Sequence, residues 1–264
     1  MEGDSRTHII LVHGACHGAW CWFKVATRLR SAGHRVTTPD LAASGIDPRP
    51  LREVPTFRDY TQPLLDILAS LPPGEKVVLV GHSLGGISIA LASELFPEKV
   101  AAAVFLSAFM PDHTLRPSHV IEKVQCVPVR SATDTMDTEV KPQDPEGKLP
   151  ASLLFGPQFT RQKVYQLCSS EDLTLGASLM RVSSYFVEDL QLQLPYSEDR
   201  YGSVRKVYIV GKDDLAIIEA YQRWMIENNP VQEVKELNGA DHMSMLSRPD
   251  ELAQCLADIA EKYV

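Results

Sequence analysis

Residues 77–86 read VVLVGHSLGG, an aliphatic run followed by a G-x-S-x-G motif centred on Ser83 and by a third glycine. The run predicts a buried strand, and apolar residues at helical spacing over residues 84–95 predict a helix directly after it. A turn this tight needs glycines two positions before and after its tip, because side chains there would meet neighbouring backbone. The pattern predicts that Ser83 projects from a strained turn at a helix N-terminus, as a nucleophile.

Strand-like and helix-like segments alternate on both sides of this motif. The strand-like segments are apolar on both faces, which is typical of a parallel sheet covered by helices on both sides. The sequence therefore predicts an α/β fold with a mostly parallel, doubly wound sheet formed by residues 1–111 and 202–264. The predicted strands are residues 8–12, 35–38, 77–80, 100–107, 204–210 and 231–237, and the predicted helices are residues 20–32, 60–71, 84–95, 217–227 and 249–263.

The pattern changes between residues 112 and 201. Residues 130–150 are polar and contain prolines, while residues 159–168 and 173–186 carry apolar side chains at helical spacing. A loop of this length without structure is uncommon within a compact domain. We therefore expect residues 112–201 to form an inserted helical cap over the carboxyl ends of the strands.

A serine nucleophile needs a base and a group that orients the base, and these follow in the chain order serine, acid, histidine. His242 lies between the last predicted strand and the last predicted helix, where an imidazole could reach Ser83. The acid should follow the preceding strand, where Asp213 and Asp214 both stand; we favour Asp214. Asp241 is a third candidate, but as the neighbour of His242 in a loop it is expected to shape the turn instead.

Two backbone N–H groups are expected to bind the oxyanion of the reaction intermediate. They would come from Leu84, after the nucleophile, and from Ala15, in the glycine-containing loop after the first strand. His13 and His17 in that loop have a spacing that also fits a metal site. Because they lie in a loop and not on one helix face, we expect no metal and no other cofactor.

Six segments, HIILVHGACHGAW, PDLAASGIDP, VVLVGHSLGG, VFLSAFMPD, RYGSVRKVYIV and GADHMSML, together resemble the plant methylesterase group of α/β-hydrolases over nearly the whole chain. The resemblance implies the α/β-hydrolase fold with a cap, and hydrolysis of methyl esters of plant hormones or alkaloid-type acids such as salicylate and jasmonate. It also implies Ser83, Asp214 and His242 as a catalytic triad, with Ala15 and Leu84 as oxyanion donors. Related enzymes are often homodimers, and the sequence itself leaves the oligomeric state open.

The resemblance places Phe109, Leu153 and Phe155 against an apolar acyl group, although plain core positions would fit these residues equally well. Tyr185 stands where a leucine is expected and is a further candidate lining residue. The stretch SATDTMDTEV at residues 131–140 replaces a tryptophan-bearing segment of the salicylate-binding member. Methyl salicylate is therefore an open substrate assignment.

Two other functions compete with ester hydrolysis. The related α-hydroxynitrile lyases carry threonine, cysteine and lysine where this chain has Gly14, Leu84 and Met243, so cyanohydrin cleavage is disfavoured. Alternatively, the pocket could retain an acid product and act as a small-molecule receptor, against which the complete set of catalytic residues argues.

Composition excludes several further classes. The 264 residues carry 26 basic and 34 acidic side chains, a formal net charge of −8, so there is no cationic excess for binding nucleic acid. No secretion signal or membrane-length apolar segment is visible, and we expect no membrane partner. The five cysteines form no CxxC pair, and Cys16 and Cys21 are expected to be buried, inert thiols. A reducing, cytoplasmic location fits best.

Overall fold

The computed structural model describes residues 7–126 and 135–264, and of residues 124–126 only the backbone. Its central element is a six-stranded sheet in which every strand pairing is parallel. Parallel neighbours need crossover connections, which the helices between them supply. The predicted α/β fold class with a doubly wound parallel sheet is confirmed.

The elements of this core lie close to their predicted bounds. Its strands are β1 (His8–Val12), β2 (Arg35–Thr37), β3 (Val77–His82), β4 (Val100–Leu106), β7 (Lys206–Gly211) and β8 (Glu233–Leu237). Across the sheet they lie in the order β2-β1-β3-β4-β7-β8. Its helices are α1 (Phe23–Ser31), α2 (Phe57–Ser70), α3 (Gly85–Leu95), α8 (Glu219–Asn228), α9 (Ser244–Ser247) and α10 (Pro249–Tyr263), with short 3₁₀ helices at Ala19–Trp22, Leu51–Glu53 and Pro97–Lys99.

Burial follows position in the sheet. Every residue of β1, β3, β4 and β7 is buried, as expected for strands covered on both faces. The edge strands β2 and β8 are partly exposed, and in β8 half-buried and exposed residues alternate up to the buried Leu237. Helix α3, which follows the G-x-S-x-G motif, is buried from Gly85 to Ser93. The motif therefore lies at the centre of the core, and its backbone is held by packing on all sides.

The described part of residues 112–201 adds no strand to this sheet. It contains α4 (His119–Cys126), an antiparallel pair of β5 (Glu139–Lys141) and β6 (Ser152–Leu154), the short α5 (Pro157–Phe159), a π-helical turn (Thr160–Val164), α6 (Ser170–Leu179) and α7 (Val187–Leu192). We refer to residues 112–201 as the cap. Residues 131–134 of the divergent stretch lie outside the described residues.

Two predicted cap helices are wrong in part. A helix is predicted over residues 173–186, but the observed helix α6 ends at Leu179. The backbone groups that follow Leu179 form hydrogen bonds with other segments. Arg181 N–H donates to the carbonyl of Cys16, and Ser183 forms an isolated antiparallel bridge with Leu153. Residues 159–168 form the π-helical turn and a loop. Helical spacing of apolar residues cannot reveal such long-range hydrogen bonds.

Among residues 7–126 and 135–264 there is no helix with the length and apolar character that a membrane crossing requires.

Candidate active site

Ser83 occupies the tip of the turn between β3 and α3. Its φ of +53° lies in the left-handed region, which is strained for a serine. The turn is tight enough that a Cβ on Gly81 would lie 2.5 Å from the carbonyl oxygen of Gly85. The strand, the turn and the helix thus place the serine as the motif predicts. Ser83 is 7% exposed and lines an internal cavity.

His242 and Asp214 meet at the same end of the sheet. His242 Nδ1–H donates to Asp214 Oδ2 at 2.8 Å, and the two residues are only 3% and 2% exposed. The other carboxylate oxygen, Oδ1, accepts from the N–H groups of Ala216 and Ile217 at 2.7 and 2.8 Å. These amides and the imidazole hold the carboxylate from both sides. Because Nδ1 of His242 is bonded to Asp214, Nε2 is the nitrogen that can accept a proton from another group. His242 lines the same cavity as Ser83.

The two other candidate carboxylates have different partners. Asp213 is exposed and accepts from the N–H of Gly239 at 2.8 Å, so it supports the turn before His242. Asp241 is buried and accepts from Leu167 N–H at 2.9 Å and from Ser247 Oγ–H at 2.7 Å, and burial raises its pKa. Asp241 therefore ties the cap to the core. The structure brings only Asp214 of the three to the imidazole of His242.

His82 is a site residue that the sequence interpretation missed. Its Nε2–H donates to the backbone carbonyl of His242 at 2.8 Å, and the two rings lie 4.6 Å apart. Burial holds the pKa of His82 well below its ordinary value, with the nearby imidazole of His242 as a smaller cause. A neutral imidazole thus supports the backbone of His242. The only sequence signal was its position next to Ser83.

The loop after β1 packs directly against the nucleophile. A Cβ on Gly14 would lie 2.7 Å from the Cβ of Ser83, so the loop backbone and the serine are in close contact. The next residue is Ala15, which is buried, as is Leu84 on the other side of the serine. Within the described chain no hydrogen bond is found for the N–H groups of Ala15 and Leu84. Buried amides almost always have partners, so two free amides beside a serine indicate a binding site for an oxygen.

The cavity beside Ser83 has a volume of about 340 Å³. All four candidate lining residues, Phe109, Leu153, Phe155 and Tyr185, line it. Phe109 and Tyr185 make an edge-to-face contact with ring centroids 6.2 Å apart. Further lining residues that the sequence interpretation did not name come mainly from the cap and from the loop after Asp214, and they include Ile121, Val140, Phe159, Val187 and Ile217. The cavity is therefore a largely apolar chamber between cap and core, with the polar groups of Ser83 and His242 in its wall.

Metal-ligating and thiol groups near the site have other partners. Within the described ranges there is no group of three or more His, Cys, Asp or Glu residues that could hold a metal ion. His13 and His17 both hydrogen-bond to backbone carbonyls of their own loop. Burial raises the pKa of the Cys16 thiol to about 12 and also raises that of Cys21, so both thiols stay protonated and unreactive.

The chain is similar to known proteins along nearly its whole length. The model of the alpha/beta hydrolase family matches residues 9–255. Salicylic acid-binding protein 2 of Nicotiana tabacum is 50% identical, over 97% of this chain and 98% of that protein. Methylesterase 1 of Arabidopsis thaliana is 48% identical, over 100% of this chain and 99% of that protein. The crystal structure of polyneuridine aldehyde esterase covers 97% of this chain and 99% of its own, with 45% identity and a TM-score of 0.94.

The chain therefore belongs to the alpha/beta hydrolase family and, within that family, to the plant methylesterases. The resemblance inferred from the six sequence segments is confirmed.

Proposed function

We propose that this protein is a serine carboxylesterase that hydrolyses methyl esters of small hydrophobic carboxylic acids. The observation that carries the proposal is that a strained serine and a carboxylate-bound imidazole line one apolar cavity, with two free backbone amides beside the serine. The family membership and the name of the relative methylesterase 1 support the same activity. In this proposal Ser83, His242 and Asp214 form a catalytic triad, and Ala15 and Leu84 are the oxyanion donors.

In the first half of the reaction, the Oγ of Ser83 attacks the ester carbonyl carbon while its proton moves to Nε2 of His242. The negative charge that develops on the carbonyl oxygen is stabilised by the N–H groups of Ala15 and Leu84. The bond between the carbonyl carbon and the methoxy oxygen then breaks, and methanol leaves with the proton from His242. The acyl group stays on Ser83 as an ester.

In the second half, a water molecule gives a proton to His242 Nε2 and attacks the acyl carbon. The bond between Ser83 Oγ and the acyl carbon then breaks, the proton on His242 Nε2 moves to Ser83 Oγ, and the free acid leaves. Throughout both halves, Asp214 keeps the proton of the imidazole on Nδ1 and stabilises the imidazolium that forms. Every proton transfer in this cycle runs between Ser83, His242, methanol and water, and the two amides bind the negative charge, so the proposal includes no cofactor.

The cavity supports a hydrophobic acyl group. A volume of about 340 Å³ lined by Phe109, Leu153 and Phe155 suits a compact ring system. Binding of that ring would hold the ester carbonyl against Ser83, so selectivity would depend on the acyl part and not on the methanol. A panel of methyl esters of salicylate, jasmonate, indoleacetate and bulky alkaloid acids, compared by kcat/KM, measures this preference. A profile without preference would refute selection by the cavity.

A receptor that binds an acid without turnover is the second candidate function, favoured by the name of the relative salicylic acid-binding protein 2. A burst assay with an activated p-nitrophenyl ester distinguishes an esterase from a receptor without turnover. We expect a burst of one p-nitrophenolate per Ser83, which is lost in Ser83→Ala. No burst, together with product binding that Ser83→Ala leaves unchanged, would favour the receptor.

Cyanohydrin cleavage is a further outcome that the same preparation tests. The lyase residue at position 14 is a threonine, and any Cβ there would lie 2.7 Å from the Cβ of Ser83, so the present loop geometry fits glycine alone. Position 243 holds a fully buried methionine, which offers no positive charge to a departing cyanide. We expect no cyanide release from mandelonitrile, and release at a rate similar to ester hydrolysis would contradict the assignment.

The four cysteines whose side chains are described, Cys16, Cys21, Cys168 and Cys255, are free thiols. A cytoplasmic location stays a prediction, as does a homodimer.

A further inference from the structure

The loop between β1 and the first 3₁₀ helix holds two buried histidines, His13 and His17, which take no part in the proposed reaction. His13 lies on one side of Ala15. Its Nδ1–H donates to the carbonyl oxygen of Gly14 at 2.8 Å, and its Nε2 accepts from the N–H of Leu41 at 3.0 Å. Both ring nitrogens are therefore engaged, and the tautomer is determined by the partners.

His17 lies on the other side of Ala15. Its Nδ1–H donates to the carbonyl oxygen of Ala15 at 2.8 Å, so its Nε2 is the acceptor for the hydroxyl of Tyr165 at 2.7 Å. The ring also stacks on Tyr165, with centroids 5.8 Å apart and an angle of 18° between the planes. Tyr165 belongs to the cap and is 148 residues away in sequence.

These two imidazoles hold the two peptide planes that flank the Cα of Ala15. A trans peptide is planar, with its C=O and N–H on opposite sides, so a bond to the Gly14 carbonyl also orients the N–H of Ala15. A bond to the Ala15 carbonyl holds the next plane. Together they restrain both φ and ψ of Ala15, and with them the direction of the proposed oxyanion donor.

Both imidazoles are held neutral, which keeps a single proton on each Nδ1. Burial lowers the pKa of His13 and lowers that of His17 to about 3. A protonated His17 could no longer accept the Tyr165 hydroxyl hydrogen. The arrangement is therefore stable across the neutral pH range.

Three hydrogen bonds join the described part of the cap to this loop. Besides the Tyr165 hydroxyl, Arg181 N–H donates to the Cys16 carbonyl at 3.0 Å, and the Cys16 thiol donates to the Leu153 carbonyl at 3.6 Å. Leu153 lines the cavity that would receive the acyl group. The wall of the acyl site and the oxyanion loop are thus joined by hydrogen bonds.

We propose that His17 is a positioning residue: by holding the Ala15 carbonyl it restrains the backbone around Ala15, and with it the direction of the Ala15 N–H toward the oxyanion, and its bond to Tyr165 makes this restraint depend on the cap. The proposal rests on the proposed esterase function and names the residues that set its oxyanion site. His13 restrains the other peptide plane and receives its own support from the core, through Leu41.

Three variants test the role of His17. In His17→Asn an amide N–H stands near the position of Nδ1, so it can still donate to the Ala15 carbonyl. In His17→Gln the amide lies further out and reaches toward Tyr165, and in Tyr165→Phe the hydroxyl is removed while the ring remains. Removal of an oxyanion donor typically lowers kcat about 100- to 1000-fold. A donor that is present but misdirected should cause a smaller fall in kcat.

We expect kcat for a methyl ester to fall by roughly 10-fold in Tyr165→Phe and in His17→Asn, because both variants lose the bond between residue 17 and the cap while the Ala15 carbonyl keeps its donor. In His17→Gln, which loses the donor to the Ala15 carbonyl, we expect a fall of roughly 100-fold, and we expect KM to change by less than about 3-fold in all three. Loss of a transition-state interaction lowers kcat and kcat/KM together. A general loss of folded protein would also lower the measured rate, but it would not make His17→Gln slower than His17→Asn.

Tyr196→Phe is the matched control, because Tyr196 is a buried tyrosine whose hydroxyl has no hydrogen-bond partner among the described residues. Equal kcat in His17→Asn and His17→Gln would overturn the role of His17. Equal kcat in Tyr165→Phe and Tyr196→Phe would overturn the coupling to the cap. Turnover that does not depend on Ser83 in the parent protein would refute the esterase function itself, whereas Ser83-dependent turnover with unaffected variants would refute the positioning role alone.

Discussion

Replacement of Asp214 by asparagine is a sharp test of the proposed triad. One carboxylate oxygen, Oδ1, accepts from the N–H groups of Ala216 and Ile217, and the other accepts from His242. An asparagine can keep only one of these arrangements, since it has a single side-chain oxygen. Turning its NH₂ toward the two amides would leave two buried donors unpaired, at about 1–3 kcal/mol each. The side chain should therefore keep its oxygen on the amides and point its NH₂ at His242.

That orientation reverses the hydrogen bond to His242. Nδ1 must now accept, so the proton of the imidazole moves to Nε2, where it blocks the uptake of the Ser83 proton. An equivalent tautomer error in a serine protease costs about 10⁴ in kcat. At about 1.4 kcal/mol per factor of ten, the activation barrier would rise by about 5 to 6 kcal/mol. The fold should be retained, because the two amides keep their acceptor.

The assay is kcat for a p-nitrophenyl ester and for a methyl ester, together with Tm, in Asp214→Asn and in Asp213→Asn. Asp213 is the adjacent, exposed carboxylate, and its partner is the N–H of Gly239. Its asparagine variant should keep kcat within about 3-fold, because surface substitutions away from special features change little. A kcat in Asp214→Asn within 10-fold of the parent protein, at an unchanged Tm, would refute the assigned role of this carboxylate.

Three further predictions concern stability, selectivity and the turn. Burial lowers the pKa of His17 from 6.5 to about 3, so this residue contributes stability above pH 6.5 that is lost as the pH falls toward 3. Urea titrations between pH 5 and 6 measure the free energy of unfolding, which should fall with decreasing pH by about 1.4 kcal/mol less per pH unit in His17→Asn than in the parent protein. An identical slope in the two proteins would contradict the burial argument. Phe155 lines the cavity, and its ring centroid lies 5.2 Å from that of Phe159. Phe155→Ala should therefore raise KM for bulky aromatic methyl esters by roughly 10-fold and leave p-nitrophenyl acetate turnover within about 3-fold. Equal effects on both esters would argue against an acyl site at this position. Gly81→Ala places a Cβ 2.5 Å from the Gly85 carbonyl oxygen, so we expect a lower Tm and a loss of the p-nitrophenyl ester burst, and a parent-like burst and Tm would show that the turn tolerates a side chain.

The local parts of the site could be predicted because short-range chemistry specifies them. A serine flanked by Gly81 and Gly85 between an apolar strand and a helix has few other arrangements, and the turn with φ of +53° at Ser83 agrees with the pattern. The core strands were also predictable within a few residues, since buried parallel strands are apolar on both faces. In contrast, helical spacing gave the wrong conformation for residues 180–186 of the cap.

Adjacent residues show where pattern reasoning stops. Asp213 and Asp214 are equivalent in the sequence, and only the direction of each side chain at the end of β7 separates them. His82, next to Ser83, proved to support the backbone of His242, 160 residues later. Neither relation has a local signal, because each depends on how distant segments pack.

The amino-acid pattern was enough to predict the parallel α/β core, the serine turn, the histidine that follows the last strand, and the resemblance to plant methylesterases. These features arise from hydrophobic period, glycine placement and chain order, which act over a few residues. Three features emerged from the packing of distant segments: which carboxylate meets His242, which residues of the cap line the cavity, and the bond between Tyr165 and His17 beside Ala15. Such contacts join segments more than a hundred residues apart in several cases, and their geometry exists only once the whole core has packed.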